Sequence, residues 1–434
     1  MRTARIFVIS ILFCVSINVY ANLQIIRDAE IEETLAEIVK PIFSVAGLRQ
    51  ESAKIFVINS NIINAFTIGN GYIFVTSELL LHFENPLPLI GILCHETGHI
   101  AAGHINRHIG LLQQRANSFM VVMLAGILGA ALTGSQDMIA LLLGYAMTDE
   151  RFYLKFSRGE ELAADALAVS YLEKLGYSAD VLIESFYTFQ QMEILNGDAN
   201  LPVYIMTHPK TNDRISALQK YAKNKRYVAK ENTLKKYKRL IIKLKAYLRK
   251  PDLSTQIPGD NYSRAIYFHR TGQTKKAIAL LQDLLKKSPN DLYYKETLAQ
   301  TFYESGLLDE SIKIYEQILG NNVNILIKID YANVLIEANK KIDKAISILE
   351  SAKYMDHLNS DIFRLLAKAY GKKGKEGLSF FMLAQEQIFL HNYKNAHELL
   401  VNSLNKLDKK TETLQYKKAK YLKELIERDY KQYL

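Results

Sequence analysis

The sequence has no tryptophan and only 2 cysteines and 8 prolines in 434 residues. Two cysteines exclude a disulfide-stapled scaffold. Prolines this scattered exclude a proline-rich stalk. No run of 18 or more uninterrupted apolar residues occurs, which argues against a polytopic membrane protein. What remains is an ordinary globular balance, 49% hydrophobic and 23% charged, which excludes a wholly disordered or collagen-like chain. At roughly 150 residues per domain the length suggests two or three domains.

Acidic residues are unevenly spread. Residues 22–220 carry 13 Lys/Arg against 21 Asp/Glu, a net −8, whereas residues 221–434 carry 40 against 24, a net +16. Opposite signs read as two modules with different partners. The basic half could face an acidic protein, anionic lipid or nucleic acid, and charge alone does not choose. The N-terminus bears on that choice. Arg2 and Arg5 precede an apolar stretch, Ile6 to Val19, broken only by Ser10, Ser16 and Asn18. Val19-Tyr20-Ala21 then offers a small-x-small cleavage site before Asn22. Residues 1–21 read as a secretory signal, with a short N-terminal anchor as the alternative. After cleavage only Cys94 remains, and an exported chain without disulfides fits a bacterial periplasm. Export argues against nucleic acid as a partner.

Periodicity supplies a coarse layout. Ile31, Leu35, Ile38 and Ile42 recur at helical spacing within Asp28–Val45. Residues 55–58 read as a strand, and 64–68 and 72–75 as a hairpin about Gly69-Asn70-Gly71. The spacing predicts a helix over Leu87–His108. Two apolar segments follow, 119–133 and 138–147, each too short to span a bilayer. They read as a helical pair covering a site, or as an element that touches a membrane surface. Residues 221–250 read as a basic helix that docks through Leu240, Ile241, Leu244 and Leu248, and 251–260 as a linker. Beyond residue 260 a 34-residue period appears. Gly272, Ala277 and Leu281 return as Gly306, Ser311 and Tyr315, then as Lys340, Ala345 and Leu349, and a further step lands on Gly374. A small residue where two helices cross, at this period, is the tetratricopeptide pattern. The last turn is irregular, since residues 391–396 restart the second-helix pattern. Stacked helix pairs form a solenoid whose concave face suits peptide or protein.

The chemistry concentrates in His95-Glu96-Thr97-Gly98-His99. Residues four apart on a helix lie one above the other, so two imidazoles can bind one Zn²⁺. Glu96 lies about 100° around the helix and can reach a water beside the ion. The preceding Leu89–Leu93 makes this helix apolar, and polar groups on a buried helix need partners. A third ligand is expected. The long metzincin motif fails, because Ala102 and Ile105 stand where Gly and His are required. His104 and His108 read as surface or capping residues further along the helix. Ser157 to Asp165 offers Glu161 and Asp165 on one helical face, beside small residues that permit close packing. One carboxylate can bind metal while the other orients an imidazole.

These residues resemble the zinc metallopeptidases that include HtpX and the CAAX prenyl protease. The resemblance rests on H-E-x-x-H, on the S-R-x-x-E-x-x-A-D of Ser157–Asp165, on Asn64-Ala65-Phe66 with Gly69–Val75, and on Thr207-His208-Pro209 with Arg214-Ile215. With a signal peptide and a tetratricopeptide array, it narrows to the BepA-like periplasmic chaperone-proteases of outer-membrane quality control. It implies His95, His99 and Glu161 as ligands of one zinc ion per chain. It further implies that Glu160 is not a ligand, that Asp165 orients a ligand, and that Glu96 is the base. Asn70 replaces the usual glycine of the turn, and Cys94 and Gly98 stand where the motif tolerates variation. His208 is a catalytic candidate with two readings, an oxyanion stabiliser or a fourth ligand that holds the enzyme latent. The strand 72–75 reads as a sheet edge that pairs with an extended substrate.

The expectation is a mainly α protein, a gluzincin-like H-E-x-x-H domain with a small β-sheet followed by an α-solenoid. Its parts would be a signal peptide (1–21), a metallopeptidase domain (22–225), a basic helix and linker (226–260) and the repeats (261–434). It would cleave misfolded or stalled outer-membrane proteins and engage them and their assembly machinery through the repeats, with peripheral membrane contact left open. The alternative is a chaperone or adaptor with latent peptidase activity.

Overall fold

The computed structural model describes residues 25–107, 156–196, 204, 208, 211–249 and 261–431, apart from 70, 321–322, 357–358 and 391. The signal segment, both apolar segments, His108 and the linker 251–260 lie outside the described residues.

Helix α1 (Ala29–Val45) starts at Asp28, whose carboxylate accepts the Ile31 N–H at 3.0 Å. Its stripe of Ile31, Leu35, Ile38 and Ile42 is buried against the sheet. The strands β1 (Ile25–Ile26), β2 (Lys54–Ile58), β3 (Ala65–Gly69) and β4 (Tyr72–Thr76) form one sheet in the order β1-β2-β4-β3. β3 and β4 make the expected antiparallel hairpin, and β2 runs parallel to β4. The strand expected at the edge, β4, is therefore interior. It lies between β2 and β3, and the edges of the sheet are β1 and β3.

After the short α2 (Ser77–His82), α3 (Pro86–Ala101) begins with Asn85 as cap and Pro86 at the first position, where its missing N–H costs nothing. This helix is buried on every side from Pro86 to His99. It ends at Ala101, earlier than expected, because Gly103 turns the backbone with a φ of +66°. Helix α4 (Arg158–Lys174) opens with a capping box, Ser157 and Glu160 satisfying each other's backbone N–H groups. Helix α5 (Asp180–Asn196) packs on α3, and α6 (Thr211–Leu218) packs on α5 and α4.

The basic helix α7 starts at Glu231 and ends at Leu248, while 222–230 are not helical. Leu240, Ile241 and Leu244 dock into the first core as expected. Five helix pairs follow: α8/α9 (Asn261–Arg270, Thr274–Lys287), α10/α11 (Leu292–Glu304, Leu308–Ile318), α12/α13 (Ile325–Glu337, Ile342–Met355), α14/α15 (Asp361–Lys372, Glu376–Phe389) and α16/α17 (Tyr393–Lys406, Thr413–Asp429). The 34-residue period is visible in the backbone. Gly272, Gly306 and Gly374 have φ of +74°, +77° and +71°, each just before a second helix. At the third turn, where the period lands on Lys340, Asn339 and Lys341 take the left-handed conformation instead. Ala277, Ser311, Ala345 and Ala396 are fully buried where helices cross. Among the described residues no helix is long and apolar enough to cross a membrane.

The repeats are attached to the first core through buried and half-buried polar contacts. Lys243 of α7 pairs with Asp28 at 2.7 Å and Glu30 at 3.2 Å. The Tyr262 hydroxyl donates to Glu30 at 2.9 Å. Arg239 grips Asp291 with two N–H groups at 2.5 and 2.8 Å. Arg27 reaches Asp356, at the end of α13, at 2.8 Å.

Candidate metal centre

The seam between α3 and α4 decides what can meet. Gly98 faces Ala164, and a Cβ there would lie 2.8 Å from the Ala164 carbonyl oxygen. Gly98 is thus required for close approach and does not sit at a tolerant position. Of the small residues expected at 163, 164 and 166, Ala164 makes this contact, while Ala163 and Ala166 are exposed. Across it, His95 and His99 look toward Glu161, all three almost wholly buried.

The Nε2 atoms of His95 and His99 are 3.0 Å apart. Glu161 places Oε2 3.5 Å from His95 Nε2 and Oε1 3.5 Å from His99 Nε2. His208 Nδ1 stands 3.4 Å from His95 Nε2 and 2.9 Å from Glu161 Oε1. The four donor atoms all lie within 4.8 Å of one another. Four donors placed tetrahedrally at 2.0–2.1 Å from one ion would be about 3.3 Å apart. The observed spacings bracket that value, so the donor set fits a zinc-sized cation. The chemistry of the set agrees. Two imidazole nitrogens facing each other can share one proton at most, and this cluster converges more lone pairs than protons.

The surroundings orient these groups. Asp165 Oδ1 is 2.9 Å from His95 Nδ1. Arg214 donates to both oxygens of Asp165, at 2.8 and 2.7 Å, and lies 2.7 Å from Glu161 Oε2. It also rests over the Phe186 ring at 4.3 Å. Burial opposes ionisation of Asp165, but Arg214 overcomes it and holds the carboxyl below the usual range. Burial likewise opposes ionisation of Glu161, and His208 and Arg214 keep it low. For His95, burial and the Arg214 charge pull the pKa down, yet the hydrogen bonds to Asp165 and Glu161 push it up to about 9. Glu96 differs. Burial raises its carboxyl against the pull of His208 and His95. Neither of its oxygens has a hydrogen-bond partner among the described residues, the nearby His208 Nε2 being 3.5 Å away. Such a buried carboxylate is costly and calls for a polar molecule beside it.

Glu160 stays in the capping box and outside the cluster. Arg214 ties the backbone of His208 to Asp165 and Glu161. Three residues were not anticipated. His104 is buried, 3% exposed, and its Nδ1 lies 3.0 Å from His99 Nδ1, which corrects its reading as a surface residue. The turn at Gly103 brings it back under the helix end. Phe156 stacks on His99 with centroids 3.8 Å apart, and Tyr204 stacks on His208 at 4.6 Å. The four-residue spacing of Tyr204 and His208 was the one available signal for the last.

Comparison with known proteins agrees with this geometry. Residues 27–222 match the model of peptidase family M48. The chain carries an M48 metallopeptidase domain. The beta-barrel assembly-enhancing protease of Escherichia coli K12 is 23% identical over 328 residues, 72% of this chain and 66% of that protein. A Vibrio cholerae protein named for the same activity is 24% identical over 334 residues, 74% of this chain and 68% of that one. The chain thus spans about two thirds of the length of these relatives. Human mitochondrial metalloendopeptidase OMA1 is 28% identical over 200 residues, 45% of this chain and 37% of that protein. The M48 match covers His95, His99, Glu161 and His208, the residues that converge in space.

Proposed function

We propose that this chain is a periplasmic zinc endopeptidase that removes misfolded or stalled outer-membrane proteins, with its tetratricopeptide-like repeats engaging clients and their assembly machinery. The observation that carries the reading is the convergence of four metal-ligand side chains beside a buried glutamate that has no hydrogen-bond partner among the described residues. His95, His99 and Glu161 would hold the ion, leaving the fourth position, which His208 faces, to water and substrate. When bound, zinc supplies Lewis acidity, polarising a peptide carbonyl and making water nucleophilic near neutral pH. Glu96 takes the proton of the attacking water and passes it to the leaving amine. Its burial raises its proton affinity above that of an exposed glutamate, which suits both halves of that transfer. Asp165 accepts from His95 Nδ1–H and so fixes the tautomer whose Nε2 lone pair faces the centre. Arg214 ties Asp165 and Glu161 into one rigid unit. An extended client segment would pair with the edge strand β3, which packs on α3.

The test is Glu96→Gln. The variant is expected to keep fold and zinc content and to lose cleavage of an unfolded client such as casein. Persistent cleavage by the purified variant rejects the proposal. A second reading, an adaptor with latent peptidase activity, draws on His208. With that side chain in the donor set, the fourth corner is closed. In this reading His208→Ala raises basal cleavage, whereas a fall assigns His208 to the oxyanion.

A further inference from the structure

A histidine that ligates through Nε2 must carry its proton on Nδ1, and a buried N–H needs an acceptor. His95 has Asp165 for this purpose. For His99 the facing atom is Nδ1 of His104, at 3.0 Å. We infer that His104 is the positioning residue for His99, accepting its Nδ1–H and keeping the Nε2 lone pair aimed at the metal. This rests on the metallopeptidase reading and adds a residue to it.

Three observations support the assignment. The contact is not one that a continuous helix makes, since residues five apart lie about 140° around the axis and 7.5 Å along it. It exists because the chain turns at Ala102 and Gly103, the latter at φ +66°, where nothing crowds the α-carbon and only the backbone conformation favours glycine. The pair is also sealed from solvent. His104 is buried, and the Phe156 ring stacks on His99 with His104 6.2 Å away. Finally, the acceptor is an imidazole where His95 has a carboxylate. The two ligand histidines are therefore held by different chemistry. His95 leans on an anion that is itself fixed by Arg214, and His99 leans on a ring whose position depends on one turn.

The experiment measures zinc affinity of the full chain by competition with a chromophoric chelator, alongside circular dichroism. His104→Leu fills the space without an acceptor, and His104→Ala empties it. His104→Asn returns an acceptor close to the position of Nδ1. Leu and Ala are expected to weaken zinc binding about 10–100-fold, and Asn to stay within a few-fold of wild type with kcat/KM following the same order. Folded Leu and Ala variants that bind zinc like wild type overturn the inference. So does an Asn variant as weak as Leu, because the role would then be packing. A wild-type chain that takes up no zinc overturns the metallopeptidase reading itself, and this inference with it.

Discussion

Gly98→Ala perturbs the metal centre without touching a ligand. The new Cβ would sit 2.8 Å from the Ala164 carbonyl oxygen and 3.2 Å from its Cα. Ordinary contact is about 3.5 Å, so α4 must retreat by roughly 0.7 Å. Glu161 lies one turn before Ala164 on the same helix and retreats with it. Such a shift is about a third of a zinc–ligand bond of roughly 2.1 Å, too much for a donor set that already fits. In the metal-free chain two effects oppose each other. Alanine gains about 1 kcal/mol over glycine in a helix interior, and overpacking costs about 1–3 kcal/mol. The net change in stability is a loss of about 0–2 kcal/mol. Zinc affinity should fall at least about tenfold, roughly 1.4 kcal/mol. Urea unfolding with and without zinc reads both, because the added stability conferred by the metal shrinks with its affinity. Gly159→Ala is the control. Nothing lies within 4 Å of that Cβ, so it should gain about 0.4–1 kcal/mol and leave zinc binding alone. A Gly98→Ala chain with wild-type zinc affinity and wild-type cleavage would show that the seam does not set the ligand geometry.

Two further predictions concern the repeats. Lys243 is fully buried between Asp28 and Glu30; Lys243→Met leaves those carboxylates short of their cation and should cost about 3–5 kcal/mol, measured by urea unfolding, with a loss under 1 kcal/mol contradicting the role. Burial pushes the Asp330 carboxyl up to about 7 against the hydrogen bond from Gln300. The stability tied to its neutral form is complete below the ordinary carboxylate range and is lost as pH rises through about 7. Asp330→Asn should therefore stabilise the chain by about 1–3 kcal/mol at pH 8 and by much less at pH 4, and equal effects at both values would refute the assignment.

Much of this was legible in the sequence, for identifiable reasons. Periodicity located α1 because one of its faces is buried and the other is not, whereas the hairpin was located by β-branched and aromatic runs about a glycine-rich turn, its strand β4 being buried on both faces. The repeats showed themselves because a crossing point admits only a small residue every 34 positions. The convergence of His95, His99 and Glu161 was readable because a metal site calls for particular residue types at particular helical offsets. What escaped depended on chain direction in space. Strand order is not written in any one strand, so β4 was placed at an edge that β3 occupies. Helix periodicity carried α3 through to His108, although Gly103 redirects the chain. That single turn changed His104 from a surface residue into a neighbour of His99. Gly98 looked permissive because a motif records identities and not the distance to a facing carbonyl.

The tie between Arg27 and Asp356 has a consequence for how such a chain can change over generations. Asp356 closes the third helix pair, yet it is clamped to the residue that follows the first strand. Inserting or deleting a whole hairpin before that point would carry the carboxylate away from its guanidinium and misalign everything mounted on α1. Beyond it each hairpin rests mainly on its neighbours. Lengthening or trimming is therefore tolerated only at the distal tip, and the grasp of the arm can diversify there while the cutting machinery stays as it is.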